Sequence, residues 1–145
     1  VEKREIRMLV DMGFIVISCG GGGIPVVKES RTFHGVDAVI DKDLASAKLC
    51  EEIGVDVFVI ATDVEGAALW YGTPRQRFLS RLNPEEARKY LQAGEFPPGS
   101  MGPKVEAAIQ FLDSGGKRAV ITSIRHIEDA VAGKAGTQLT RGDSA

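Results

Sequence analysis

Apolar positions follow two spacings along the chain. Ile6, Leu9 and Val10 fall at i, i+3 and i+4 and predict a helix over residues 1–12, closed by Gly13. Residues 14–18 (Phe-Ile-Val-Ile-Ser) then form a largely apolar run, suited to a buried parallel strand. That run leads into four consecutive glycines and Pro25, so the strand is expected to end in a bare backbone loop. Residues 26–33 are mixed and charged, an excursion or hairpin, and residues 35–40 rise toward Asp41. A helix is predicted over 43–53, with Leu44, Ala47, Cys50 and Ile53 on one face and Gly54 as its stop. Residues 55–61 read as a second buried strand, and the breaker-bearing segment 67–82 as a hairpin. Asn83 and Pro84 open a helix that Gly94 closes. After a loop over 96–102, Pro103 starts a helix through Val105, Ala108, Ile109 and Leu112, stopped by Gly115 and Gly116. A third strand at 117–122, a short helix at 126–132 and a final segment at 136–140 complete the pattern.

Strands that alternate with helices predict an α/β fold, a parallel-rich sheet sandwiched by helices. In such sheets ligands bind outside the carboxyl ends of the strands. Those ends carry the glycine run, Asp41-Lys42-Asp43 and Thr62-Asp63, so three polar clusters are expected on one rim.

Composition narrows the class. With 145 residues, 43% hydrophobic and 26% charged, the chain suffices for one globular domain with its own core. The net charge of -2 and scattered basic residues leave no footprint for nucleic acid. Cys19 and Cys50 lie in apolar segments without CxxC spacing or a nearby His pair, which predicts reduced, buried thiols and no structural zinc. No apolar run reaches the ~20 residues of a membrane span and no leader pattern opens the chain, so a cytoplasmic protein without a membrane partner is expected. The chain opens on Val1 within a helical pattern that lacks a capping residue, which leads to the expectation that something has been removed upstream; removal of an initiator Met is the alternative. Residues 141–145 look like a frayed tail.

The rim clusters carry the candidate chemistry. Gly20, Gly21, Gly22 and Gly23 allow backbone N–H groups to approach a phosphate, and equally serve as a structural turn. Neither GxGxxG nor GxxxxGK[ST] is present. In Asp41-Lys42-Asp43, an ammonium between carboxylates suits phosphoryl oxygens or Mg²⁺, and equally a solvated helix cap in which Asp43 accepts backbone N–H groups. Lys104, at the start of a helix, has its charge opposed by the helix dipole and so wants an anionic partner; a surface lysine is the plain alternative. Thr62, Asp63, Val64, Glu65 and Gly66 form either a ribose or adenine edge or an acidic turn with Gly66 at positive φ. Trp70 and Tyr71 are candidates to stack on a base or to pack. His34 and His126 lack a neighbouring Ser or Cys nucleophile pattern.

Five ordered strings go further: residues 18–26 (SCGGGGIPV), 41–45 (DKDLA), 62–66 (TDVEG), 97–108 (PPGSMGPKVEAA) and 133–137 (GKAGT). In this order they resemble carbamate kinases, over nearly the whole chain. The resemblance implies an amino-acid kinase fold in which residues 1–140 are the C-terminal, nucleotide-binding lobe, and the N-terminal lobe that binds substrate is absent. It implies ATP or ADP and Mg²⁺ as cofactors, reversible phosphoryl transfer to carbamate giving carbamoyl phosphate, and a homodimer. Carried onto this sequence, Lys42 and Lys104 contact phosphoryl oxygens and Asp43 orients the lysines or the metal. Thr62, Asp63, Val64, Met101, Gly102 and Pro103 line the nucleotide, and Gly20 to Gly23 lie near the transferring phosphate or substrate edge. Phosphoryl transfer asks mainly for positioning and charge neutralisation, and needs no protein nucleophile. The alternatives are a non-catalytic nucleotide-binding or regulatory domain, or another amino-acid kinase such as an acetylglutamate, aspartate or uridylate kinase.

Overall fold

The computed structural model describes residues 2–142. Val1 and residues 143–145 of the expected tail lie outside the described residues. Helix α1 (Lys3–Asp11) is followed by an exposed antiparallel hairpin of β1 (Val26–Glu29) and β2 (Thr32–Gly35), then α2 (Lys42–Ile53) and β3 (Val57–Thr62). A short hairpin of β4 (Ala68–Leu69) and β5 (Arg77–Phe78) precedes β6 (Arg81–Leu82), α3 (Pro84–Gln92) and α4 (Met101–Asp113). Strand β7 (Arg118–Ser123), α5 (Ile127–Val131) and β8 (Thr137–Leu139) end the fold.

The main sheet has the order β3-β7-β8-β6. β3 and β7 run parallel from Val57 opposite Arg118 to Thr62 opposite Ser123, so their carboxyl ends finish side by side. β6 is parallel to β8, and β8 is antiparallel to β7, which makes the sheet mixed but parallel-rich, with helices packed against it. This is the expected α/β class.

Local chemistry explains the helices on which the rim depends. Asp41 Oδ1 accepts the N–H groups of Asp43 and Leu44 at 2.8 and 3.1 Å, so Asp41 and not Asp43 caps α2. Gly54, at φ +80, closes it. In α3 the Asn83 side chain and Glu86 form a reciprocal capping box with Pro84 at the first turn. Helix α4 begins at Met101, two residues before Pro103, so Pro103 occupies its first turn and needs no N–H partner. Its residues Val105, Ala107, Ala108, Ile109, Phe111 and Leu112 are buried in the core, where Phe111 meets Phe58 with ring centroids 5.5 Å apart.

The strand expected first does not form, and residues 36–40, ahead of Asp41, lie outside any strand as well. Residues 14–18 form no strand, and Ile15 and Ile17 are 97% and 96% exposed. An apolar run becomes a strand only beside a hydrogen-bonding neighbour, and among the described residues none pairs with it. Ile24, Val39 and Phe14 are likewise exposed. The total accessible surface is 9815 Å², against about 7,200 Å² for a compact chain of this mass. Large apolar side chains at several positions between residues 14 and 39 are therefore uncovered here. No helix among the described residues is long and apolar enough to cross a membrane.

The cysteines are half-buried rather than fully buried. Burial, with a smaller contribution from nearby Cys19, pushes the Cys50 thiol up from 9.0 to about 11. Only the thiolate alkylates, so at pH 8 Cys50 in the folded chain is expected to react with iodoacetamide up to about a hundredfold more slowly than in urea. Because burial favours the neutral thiol, its contribution to stability is present below pH 9 and declines as pH rises toward 11. Mass-resolved alkylation with and without denaturant checks the rate; equal rates in both would contradict the burial.

Candidate functional site

The paired carboxyl ends of β3 and β7 open onto the predicted rim. β3 ends at Thr62, whose hydroxyl donates to Asp63 Oδ1 at 3.0 Å, and the chain turns through Val64 and Glu65 to a buried Gly66. Facing this loop are the turn after β4 and the start of α4. Between them lies a cleft of about 250 Å³, lined by Thr62, Asp63, Val64, Gly66, Ala68, Tyr71, Phe96, Pro97, Ser100, Met101 and Lys104. Its walls are mainly apolar or aromatic, with hydroxyl, carboxylate and ammonium groups at the edge, the composition of a small-molecule site.

Lys104 stands in the first turn of α4, where the helix dipole disfavours a cation. Its Nζ donates to Asp43 Oδ2 at 2.9 Å, and the two side chains are only 13% and 12% exposed. Lys42 Nζ lies 3.6 Å from the same oxygen but is 60% exposed. Two cations thus share one carboxylate, and the trio keeps a positive charge beside the N-terminal ends of α2 and α4. That is a setting for an anion. Asp43 is free for this task because Asp41 does the capping.

The glycine run backs onto the same spot. A Cβ on Gly22, at φ +140, would sit 2.1 Å from the Ile40 carbonyl oxygen, so only glycine lets this loop lie against the entry to α2. Gly20, Gly21 and Gly23 are exposed and have open space around them. Their backbone is accessible, but they do not line the cleft.

The structure therefore gathers most of the sequence candidates. Thr62, Asp63, Val64, Met101 and Lys104 line the cleft; Asp43 and Lys42 join it through Lys104; Gly22 touches the chain just before Lys42. Gly102 and Pro103 lie outside the lining. Gly102 is a packing residue, since a Cβ there would approach the Pro97 carbonyl oxygen to 3.0 Å. Gly66 does not adopt positive φ, contrary to the turn expectation; its Cβ would instead fall 2.6 Å from the Thr137 hydroxyl. Of the aromatic pair, Tyr71 enters the cleft lining, while Trp70 turns at φ +52 with its N–H donated to Glu95 Oε2. Phe96, Pro97 and Ser100 were legible in sequence only as a breaker-rich loop.

Among the described residues no group of three or more His, Cys, Asp or Glu side chains is placed to hold a metal ion. Asp43 Oδ2 is engaged by two ammonium groups, which suits orientation of the lysines better than a protein cage for Mg²⁺. His126 Nδ1 lies 2.9 Å from Ser123 Oγ and 3.1 Å from Glu65 Oε2. Both partners meet the same ring nitrogen, so the imidazole does not bridge a nucleophile to a carboxylate as a hydrolytic triad requires.

Comparison with known proteins agrees with this architecture. Residues 1–123 match the model of the amino acid kinase family. The chain is 54% identical over 140 residues to a carbamate kinase of Pyrococcus horikoshii, covering 97% of this chain and 45% of that protein. It is 46% identical over 142 residues to a carbamate kinase of Clostridium perfringens, covering 97% of this chain and 45% of that protein. A solved carbamate kinase of Giardia lamblia bound to AMP-PNP superposes with a TM-score of 0.91 at 43% identity, covering 97% of this chain and 44% of the other. The chain thus spans about half the length of the relatives it matches. On the family match, which takes in α1 through β7 and the whole Lys42–Asp43–Lys104 cluster, the chain belongs to the amino acid kinase family.

Proposed function

We propose that this chain supplies the nucleotide-binding half of a carbamate kinase, which transfers a phosphoryl group reversibly between ATP and carbamate to give ADP and carbamoyl phosphate. The observation that carries the reading is the nearly buried Lys104–Asp43 pair at the end of a cleft lined by Thr62, Asp63, Val64 and Met101. AMP-PNP in the Giardia relative supports nucleotide use by the same fold.

In this reading the base and sugar occupy the cleft, with Tyr71 against the base and Thr62 and Asp63 at the sugar edge. Lys104 and Lys42 neutralise phosphoryl oxygens, and Asp43 fixes the direction of both ammonium groups. A preformed cation costs no reorganisation when charge develops on the transferring group. The accessible backbone of Gly20, Gly21 and Gly23, in a loop seated by Gly22, faces the transferring phosphate or the acceptor. Asp43 would be the residue to help hold Mg²⁺, which would supply further charge neutralisation to the phosphoryl oxygens. The acceptor belongs to a second, N-terminal lobe, in keeping with the relatives' greater length and with the exposed apolar side chains of Ile15 and Ile17. The assembled enzyme is proposed to be a cytoplasmic homodimer.

Two outcomes test this reading. Calorimetric titration of MgADP into the chain is expected to show saturable binding that Lys104→Ala and Asp63→Ala each weaken about tenfold, the worth of one charge-assisted hydrogen bond. A folded sample that binds nothing would sink the nucleotide site, whereas binding without turnover after an N-terminal lobe is supplied would favour a regulatory nucleotide-binding domain. Asp43→Asn leaves the Lys104 ammonium nearly buried without its counter-charge and is expected to cost about 3 kcal/mol in urea unfolding. Adding Lys104→Met should recover much of that loss; a double variant no better than the single one would contradict the coupling.

A further inference from the structure

The string 133–137, although part of the resemblance, has no role in the chemistry above, yet its last residue lies beneath the cleft. Thr137 is fully buried, at 0% exposure, in β8. Its hydroxyl accepts the Ala67 N–H at 2.8 Å and donates to the Leu79 carbonyl at 2.6 Å, across separations of 70 and 58 residues. Leu79 N–H in turn donates to the Ala67 carbonyl at 2.8 Å. One hydroxyl therefore closes the base of the β4–β5 hairpin and ties it to the main sheet.

Ala67 stands between Gly66 and Ala68, which both line the cleft, and the Thr62–Gly66 loop leads straight into it. The glycines around Thr137 fit this clamp closely. A Cβ on Gly66 would fall 2.6 Å from Thr137 Oγ1 and 3.1 Å from Thr137 N. One on Gly136, at φ +71, would fall 2.6 Å from the Ile121 carbonyl oxygen and 2.9 Å from Thr122 Cβ. Thr122, on the neighbouring β7, supplies a natural contrast: its hydroxyl is also fully buried but has no hydrogen-bond partner among the described residues.

We propose that Thr137 is a positioning residue for the nucleotide cleft: its hydroxyl holds Gly66, Ala67 and the base of the hairpin that presents Tyr71, and so fixes the floor on which the ligand rests. The role rests on the nucleotide reading of the cleft. Without the hydroxyl, the buried Ala67 N–H and Leu79 carbonyl lose their bonds to it, and the floor is freed from β8.

The test compares Thr137→Val, which keeps the shape and removes the hydroxyl, with Thr137→Ser, which keeps the hydroxyl, and with Thr122→Val as the buried control. MgADP affinity is measured by calorimetry well below the melting temperature, alongside hydrogen exchange at the Ala67 amide. Thr137→Val is expected to weaken MgADP about tenfold and to lose protection at Ala67, while Thr137→Ser stays within about twofold of the unaltered chain and Thr122→Val changes neither reading. A folded Thr137→Val that binds MgADP normally, even with a lowered melting temperature, overturns the positioning role. If Thr137→Val fails to fold, Thr137→Ala against Thr137→Ser makes the same comparison. Absence of MgADP binding by the unaltered chain overturns the nucleotide reading and the positioning role with it. Exchange at Ala67 then judges the clamp alone, and unchanged protection in the variant overturns that too.

Discussion

A carboxylate shared by two ammonium groups governs the rim of this sheet. Asp43 ties the first turn of α2 to the first turn of α4, and both lysines depend on it. Such a pair is costly to desolvate, and its net contribution to stability is small once that cost is counted. Its value lies in direction: Lys104 is held at a helix N-terminus, where the dipole opposes it, with its charge only partly compensated. An anion entering the cleft meets a cation already in place. The caps serve this arrangement, since Asp41 takes the backbone donors of α2 and leaves Asp43 to the lysines.

Backbone packing supplies the remaining precision. Gly22 brings the glycine loop against the chain before Lys42, Gly102 seats the start of α4 under residues 96–97, and Gly66 admits the Thr137 hydroxyl beneath the cleft. In each case the missing Cβ serves close approach of one segment to another, and only at Gly22 does a positive φ also demand glycine. Three segments far apart in sequence are thereby fixed relative to one another, which is what a site made of loop, hairpin and helix terminus requires.

Much of this was legible because local signals agreed with one another. The helical spacing and Gly54 stop of α2, the Asn83–Pro84–Glu86 entry to α3, and the polar cluster at the end of β3 all marked their places. The identity of the anion partner of Lys104 was legible only as a demand, because the pairing with Asp43 spans 61 residues. The residues 14–18 misled for a related reason: their apolar pattern reports how a strand would be buried, while hydrogen-bonding neighbours decide whether it forms. For Tyr71 the sequence left stacking and packing both open, while the roles of Phe96 and of the Thr137 hydroxyl had no local signature because each depends on a tertiary contact.

The central claim is that the anion-binding end of this molecule is the Asp43–Lys104 rim. The fold offers a competitor at the opposite end of the strands, an open cleft with Arg81 and Arg118 in its lining. Titration of MgADP into the isotopically labelled chain, followed by amide resonance shifts, separates the two. The account predicts saturable shifts confined to Thr62, Asp63, Val64, Gly66, Tyr71, Met101 and Lys104; shifts centred on Arg81, Arg118 and Gln138 with a silent rim would contradict it.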